Sequence, residues 1–468
     1  MHYYFANQMK SQAKFATEDE VQLVFVPDSE IFRQKYKWIF MFLLCFSQIG
    51  MLYNSQAIPT LQVPFEKELG IDEITYSQLL IADAVPNLIF PIIGGYFTDY
   101  FGGPISFIVT SLVIVLGQCI STFAAYDRNL IIFIIGKIVL GIGASTSALA
   151  KTKLVKLWFE NHEIGKAVSS IVLIDTAAII ISDLVYPGLY EYSHNLGFPF
   201  LMGAFLCFVS LIFGICLIML HHRFTNLGDP EAKEEEANKQ ISIKDIRNFP
   251  KIFWLLLFTM IWTLVSFSLV KIYQSKFLQV TFSYTISEAS FFLAASQAVT
   301  ALTTPAAGIL IERYGNLTKV MIIGNILIQL GTLLIITIPS CSACLWPTIP
   351  IMCQSVGLGL ALLSFYSSLV RIIDQKQLGL AMANFPVIMS LHMIIFPGFA
   401  GYIANNTFND YGYNFVFVLS LSVGICGLGA ALKTHFQDNI TDKKLQTPKI
   451  VAFEMQLQKS DTTTATDI

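Results

Sequence analysis

The sequence predicts an all-α membrane protein of twelve transmembrane helices in two six-helix pseudo-repeats. Three observations carry that prediction. Of the 468 residues, 54% are hydrophobic and only 13% charged, against about 25% charged in an ordinary soluble domain, and the mean hydropathy is +0.62. Windows of about 20 mostly apolar residues, the length a helix needs to cross ~30 Å of hydrocarbon, can be laid out twelve times. A Gly-x-x-x-acid-x-x-Gly spacing also occurs twice between apolar runs, as Gly95, Asp99, Gly102 and again as Gly308, Glu312, Gly315. Gly308 lies 213 residues after Gly95, close to half the chain.

The first six windows run near Trp38 to Ile58, Ser77 to Phe97, Ile105 to Ala124, Leu130 to Leu154, Gly165 to Tyr190 and Pro199 to His221. The second six run near Ile252 to Leu278, Glu288 to Ile311, Val320 to Ile338, Trp346 to Arg371, Gly379 to Ile403 and Asn414 to Leu432. The long polar stretch between the sixth and seventh reads as a connector, and Ile241 to Ile252 within it alternates enough for a short surface helix. The expected organisation is an N-terminal tail (1–37), a six-helix bundle (38–221), a linker (222–251), a second bundle (252–434) and a C-terminal tail (435–468).

Lys and Arg placement sets orientation, since basic residues stay in the cytosol. Of 29 such residues, 23 fall in the tails, the linker and loops on one side, and only Lys67, Arg128 and Lys276 on the other. Both termini are therefore expected to be cytosolic. The first window begins after a mixed polar stretch without a signal peptide's short basic start, so the N-terminus is expected to be retained. Net charge is -3, and nothing points to nucleic acid. Six cysteines lie in apolar runs, whereas Cys341-x-x-Cys344 falls in a short non-cytosolic loop where a disulfide or two free thiols fit equally. Asn405-Asn-Thr407 is a glycosylation sequon on the same side.

Ionisable residues inside spans are costly, ~2.5 to 3.5 kcal/mol near the bilayer centre, and so mark cavities or partners. At ~1.5 Å rise per residue, Asp175 and His392 lie within about 3 Å of their span midpoints, and Lys137 and Asp183 both about 8 to 9 Å towards the non-cytosolic side. Equal depth on consecutive spans predicts a Lys137–Asp183 ion pair, read either as a fixed strut or as a releasable site for a substrate carboxylate. Asp175, too short to reach the interface, is the first candidate for binding an amine or carrying a proton. His392 is of the residue type that titrates near neutral pH; it is read either as an acidity sensor or as a buried neutral ring. Lys151 and Lys271 are expected to reach the interface by snorkelling.

The repeated hairpin resembles the signature loop of the major facilitator superfamily, Gly-x-x-x-Asp-x-x-Gly followed by basic residues. Gly95, Asp99 and Gly102 match it in the first half and Gly308, Glu312, Arg313 and Gly315 in the second. The resemblance implies the major facilitator fold, alternating access, and a gating latch at Asp99 and Glu312; Gly103 and Pro104 stand where basic residues are usual. It also implies that spans one, seven and ten line the cavity, which brings in Tyr53, Trp262, Tyr273 and Phe365. Tyr53-Asn-Ser-Gln-Ala57, Pro86-Asn87, Gly136-Lys-Ile-Val-Leu-Gly141-Ile-Gly143, Trp158-Phe159 and Leu378-Gly379 are similar to the lysosomal dipeptide-uniporter branch. That branch has an acidic residue after the Gly-Ile-Gly, where this chain reads Ala144-Ser145-Thr146, and a cation in span five, where it reads Thr176. Ser145 and Thr176 thereby join the candidate substrate-binding residues.

No Gly-x-Ser-x-Gly, His-Glu-x-x-His or phosphate-binding loop is present, so neither an enzyme nor a nucleotide-driven pump is expected, and no cofactor or metal. The leading expectation is a secondary transporter of a small organic solute, a dipeptide or amino-acid-like zwitterion by resemblance. The alternatives are a carrier of monocarboxylates or other organic anions, and a carrier-like receptor or complex subunit that does not transport. Proton coupling and an accessory membrane subunit stay open. A lysosomal or vacuolar membrane rests on resemblance alone.

Overall fold

A computed structural model describes residues 28–159, 163–225, 249–341, 344–373, 375–406, 412–440 and 445. The described residues form helices and loops that make twelve spans. Span one is built from Asp28–Phe46, Ile49–Ser55 and Ala57–Thr60, followed by a short helix Gln62–Leu69. Spans two and three are Glu73–Asp127, broken at Gly102. Spans four to six are Leu130–Trp158, Ile164–Ser193 and Gly197–Thr225. Spans seven to nine are Lys251–Phe282, Ile286–Tyr314 and Leu317–Thr337. Spans ten to twelve are Thr348–Ile372, Gln375–Asn406 and Gly412–Ile440. An even number of spans puts both chain ends at one face, called here the terminal face; the other is the opposite face.

Local chemistry explains the breaks. Gly102 has φ +80 and Gly315 φ +67, backbone that a side chain would strain, and these two glycines make the reversals between spans two and three and between eight and nine. Gly95 and Gly308, the first glycines of the two matches, each sit inside a helix with nothing closer than 4.0 Å to the Cβ they lack. Gly94, next to Gly95, makes the close approach instead, against Thr146 of span four. The Gly136 to Gly143 motif is a packing stripe. A Cβ at Gly136 would meet Ser121 of span three at 2.5 Å, and one at Gly143 would meet Ile114 and Thr110 at 2.7 and 2.8 Å.

Asp72 caps span two by accepting from Thr75 N, and Thr285 and Glu288 form a reciprocal capping box at span eight. Cys341 and Cys344 are disulfide-bonded. Most of the expected linker, including Ile241 to Arg247, and the sequon's Thr407 lie outside the described residues.

The two sets of six spans meet through one buried cluster. It brings Tyr53, Ile58, Tyr76 and Leu79 of the first half against Leu269, Ile272, Tyr273 and Ala400 of the second. Glycines on span eleven let span two approach: a Cβ at Gly401 would lie 2.0 Å from Ser77 Oγ and 2.7 Å from the Glu73 carbonyl.

Candidate functional site

Polar groups inside the first half fall into three sets. Nearest the terminal face, Lys151 Nζ of span four donates to Asp175 Oδ2 of span five at 3.3 Å. Both side chains stay partly accessible, at 15% and 22%, so Lys151 does not snorkel as expected but neutralises Asp175. Deeper, Lys137 is 1% exposed and its ammonium lies 3.6 Å from Asp83 Oδ1 of span two and 3.3 Å from the Asn54 carbonyl. At a similar depth but facing span one, Asp183 is fully buried and accepts from Thr60 Oγ1 at 3.1 Å.

The expected Lys137–Asp183 pair is therefore corrected. Both residues lie towards the opposite face as estimated, but depth leaves azimuth undetermined, and Lys137 turns to span two while Asp183 faces span one. The cation whose charge reaches Asp183 is Lys271, in span seven of the other half.

Asn54 organises the surroundings of Lys137. Its Nδ2 donates to the Gly50 and Gly203 carbonyls, and its Oδ1 accepts from Tyr186 OH at 2.5 Å, tying spans one, five and six. Tyr53 stacks on Tyr186 with centroids 4.5 Å apart. Tyr53 and Tyr273 thus sit in the buried seal. Ser145 and Thr176 spend their hydroxyls on their own helices, donating to the Ile142 and Val172 carbonyls. His392 is 3% exposed and its Nε2 lies 3.1 Å from Ser268 Oγ, within the second half. The candidate binding residues therefore form separate groups, of which the Lys151–Asp175 and Lys137–Asp83 pairs are closest in kind.

At the terminal face Asp99 pairs with Lys153 of span four, and Lys37 with Glu163. The side chains of Glu312 and Arg313 lie outside the described residues.

The opposite face holds a group that was not predicted. Lys276 of span seven forms ion pairs with Glu66, at 2.5 Å, and with Glu73 at the start of span two. Gln62 Nε2 donates to Glu66 Oε1 and Glu73 Oε2 at 2.9 and 3.0 Å, and Tyr413 OH of span twelve donates to Glu73. Nearby, Ser77 Oγ lies 3.1 Å from Tyr273 OH, and Ser287 OH donates to Glu191 at 2.5 Å. Each of these contacts joins the two halves, save those of Gln62. The signal was available: Lys276 is one of three basic residues expected on that side.

Twelve spans in two sets of six, with charged pairs in the interior and a polar gate shut across one face, define the class of alternating-access carriers. The chain belongs to the Major Facilitator Superfamily, whose family model matches residues 38–286 and 265–451. It is a transporter of that superfamily and not an enzyme.

Among known proteins it is similar to the lysosomal dipeptide transporter MFSD1 of Danio rerio, 22% identical over 371 residues that span 76% of this chain and 78% of that protein. The Homo sapiens MFSD1 is 22% identical over 404 residues, 83% of this chain and 84% of that protein. Of solved structures, a peptide transporter POT in complex with sulfate aligns with a TM-score of 0.69 at 12% identity, covering 87% of this chain and 96% of that one. The xylose transporter XylE from E. coli in an inward open conformation aligns with a TM-score of 0.62 at 14% identity, over 85% and 96%.

Proposed function

We propose that this transporter carries a small zwitterion, a dipeptide or amino-acid-like solute, with Asp175 taking the substrate amine and Lys151 its carboxylate. The observation that carries the reading is the Lys151–Asp175 pair: one cation and one anion, 3.3 Å apart and both partly accessible. A zwitterion can exchange into such a pair without leaving a buried charge uncompensated, which would be severely unfavourable. A monocarboxylate would satisfy Lys151 and strand Asp175. The similarity to lysosomal dipeptide transporters supports the same substrate class and favours a lysosomal membrane, and the placement of Lys and Arg favours both termini in the cytosol. Lys137, held by Asp83 and the Asn54 carbonyl, lies 14 residues from Lys151 on span four, about 21 Å along the helix, and in this reading does not contact the substrate bound there.

Uptake into proteoliposomes of dipeptides, free amino acids and monocarboxylates tests it. Dipeptides or amino acids should be taken up and monocarboxylates not. Uptake of monocarboxylates alone would move the protein to the organic-anion class, and no uptake by folded protein would leave a receptor-like role.

A further inference from the structure

We propose that the Glu66–Lys276–Glu73 gate is a proton-binding site: closing the opposite face takes up one proton, onto Glu66, from the compartment on that side. The inference needs no particular substrate.

Charge counting is the starting point. Two carboxylates face one ammonium, and the three side chains are only 11% to 16% exposed. With both acids ionised the closed gate carries a net negative charge in a poorly hydrated place, which one proton removes. Hydrogen bonding selects the acid. Glu73 accepts from Lys276, Gln62 and Tyr413, whereas Glu66 accepts from Lys276 and Gln62 alone. Glu73 is thus the better-held anion.

Gln62 is fully buried and donates through Nε2 to both carboxyls, so it holds the two acids together without distinguishing them. The other ionisable groups facing Glu66 are Tyr76 on span two, Tyr273 on span seven and Tyr413 on span twelve, neutral phenols that add no charge. Burial first, and then the Glu73 carboxylate, push the Glu66 carboxyl above its usual range, against the pull of Lys276.

The direction follows from linkage. When the halves part at this face, Lys276 leaves with span seven and Glu66 meets water, where its carboxyl returns towards the ordinary range. The closed state therefore binds more protons, so acid on that side favours closure, between the ordinary carboxylate range and the raised one. The proton returns to the compartment it came from on reopening. It sets the gate equilibrium and is not carried across.

The experiment uses full-length protein in lipid nanodiscs without substrate, spin-labelled at Lys67→Cys and Val280→Cys. Both positions are exposed at the opposite face, one in each half. The background carries Cys426→Ser, which removes the exposed native thiol, and His194→Asn, which removes the histidine ending span five in a left-handed conformation that Asn tolerates. Distance distributions are read by double electron–electron resonance from pH 7.5 to 4.5. The closed-to-open ratio should rise as pH falls, by at most about tenfold per unit. Glu66→Gln should be mostly closed at every pH, with that response lost. A wild-type ratio that is flat or falls with acidification overturns the proposal. So does a folded Glu66→Gln protein that keeps the wild-type response or stays open throughout.

Discussion

Placing a methyl group at Gly401 should wedge the two halves apart at the opposite face. The Cβ of an alanine there would lie 2.0 Å from Ser77 Oγ and 2.7 Å from the Glu73 backbone carbonyl. The hydroxyl can rotate away, but the carbonyl belongs to span two and moves only with it. Overpacking of this kind costs about 1–3 kcal/mol, here charged against the closed state alone because the contact vanishes when the halves part. That shifts the open population by about 5- to 150-fold. Ser275 reports it: the side chain is fully buried and its Oγ lies 3.5 Å from the Thr60 carbonyl of the other half. In a Ser275→Cys background, Gly401→Ala should accelerate labelling by a membrane-impermeant maleimide by that factor. Gly398→Ala is the control, since a Cβ there meets Ile81 Cδ1 at an ordinary 3.6 Å. Equal labelling of the Gly401→Ala and Gly398→Ala proteins, both folded, would refute the wedge.

Three further outcomes follow from the same contacts. Lys276→Met leaves Glu66 and Glu73 facing each other without a cation; breaking such a pair costs about 3–5 kcal/mol, so the opposite face should open and Ser275→Cys label rapidly. Asn54→Ala strands the Tyr186 hydroxyl, and an unmet buried donor costs about 1–3 kcal/mol, to be read as a lower melting temperature in detergent. Asp72→Ala removes an N-cap worth about 1 kcal/mol. Hydrogen bonds from Thr75 hold the Asp72 carboxyl below its usual range, so this cap stabilises at neutral pH and loses its effect as pH falls through the lowered value. Wild-type and Asp72→Ala melting temperatures should converge in acid.

The architecture was legible because a span must satisfy its backbone internally and expose an apolar surface, a demand written into every twenty-residue window. The hairpin repeat was legible as spacing, but spacing does not say which of its glycines turns the chain: Gly102 and Gly315 reverse it, whereas Gly95 and Gly308 lie within helices. Depth along a span could be estimated from residue number, which placed Lys137 and Asp183 on the correct side of the centre. Azimuth could not, because these spans are apolar around most of their circumference and give little rotational signal. Lys137 therefore found Asp83, and Lys151, expected at the interface, found Asp175. The opposite-face gate escaped notice for a related reason. Glu66, Glu73 and Lys276 lie at span ends, where charge is ordinary, and only the approach of the two halves makes them one group.

The most direct test of the zwitterion reading is the initial rate of dipeptide uptake into proteoliposomes by wild-type and Asp175→Asn protein, beside the same dipeptide with its amine acetylated. The account predicts uptake of the free dipeptide by the wild type, no uptake of the acetylated one, and loss of uptake in a folded Asp175→Asn protein. Undiminished dipeptide uptake by Asp175→Asn, or equal uptake of the acetylated compound, would contradict it.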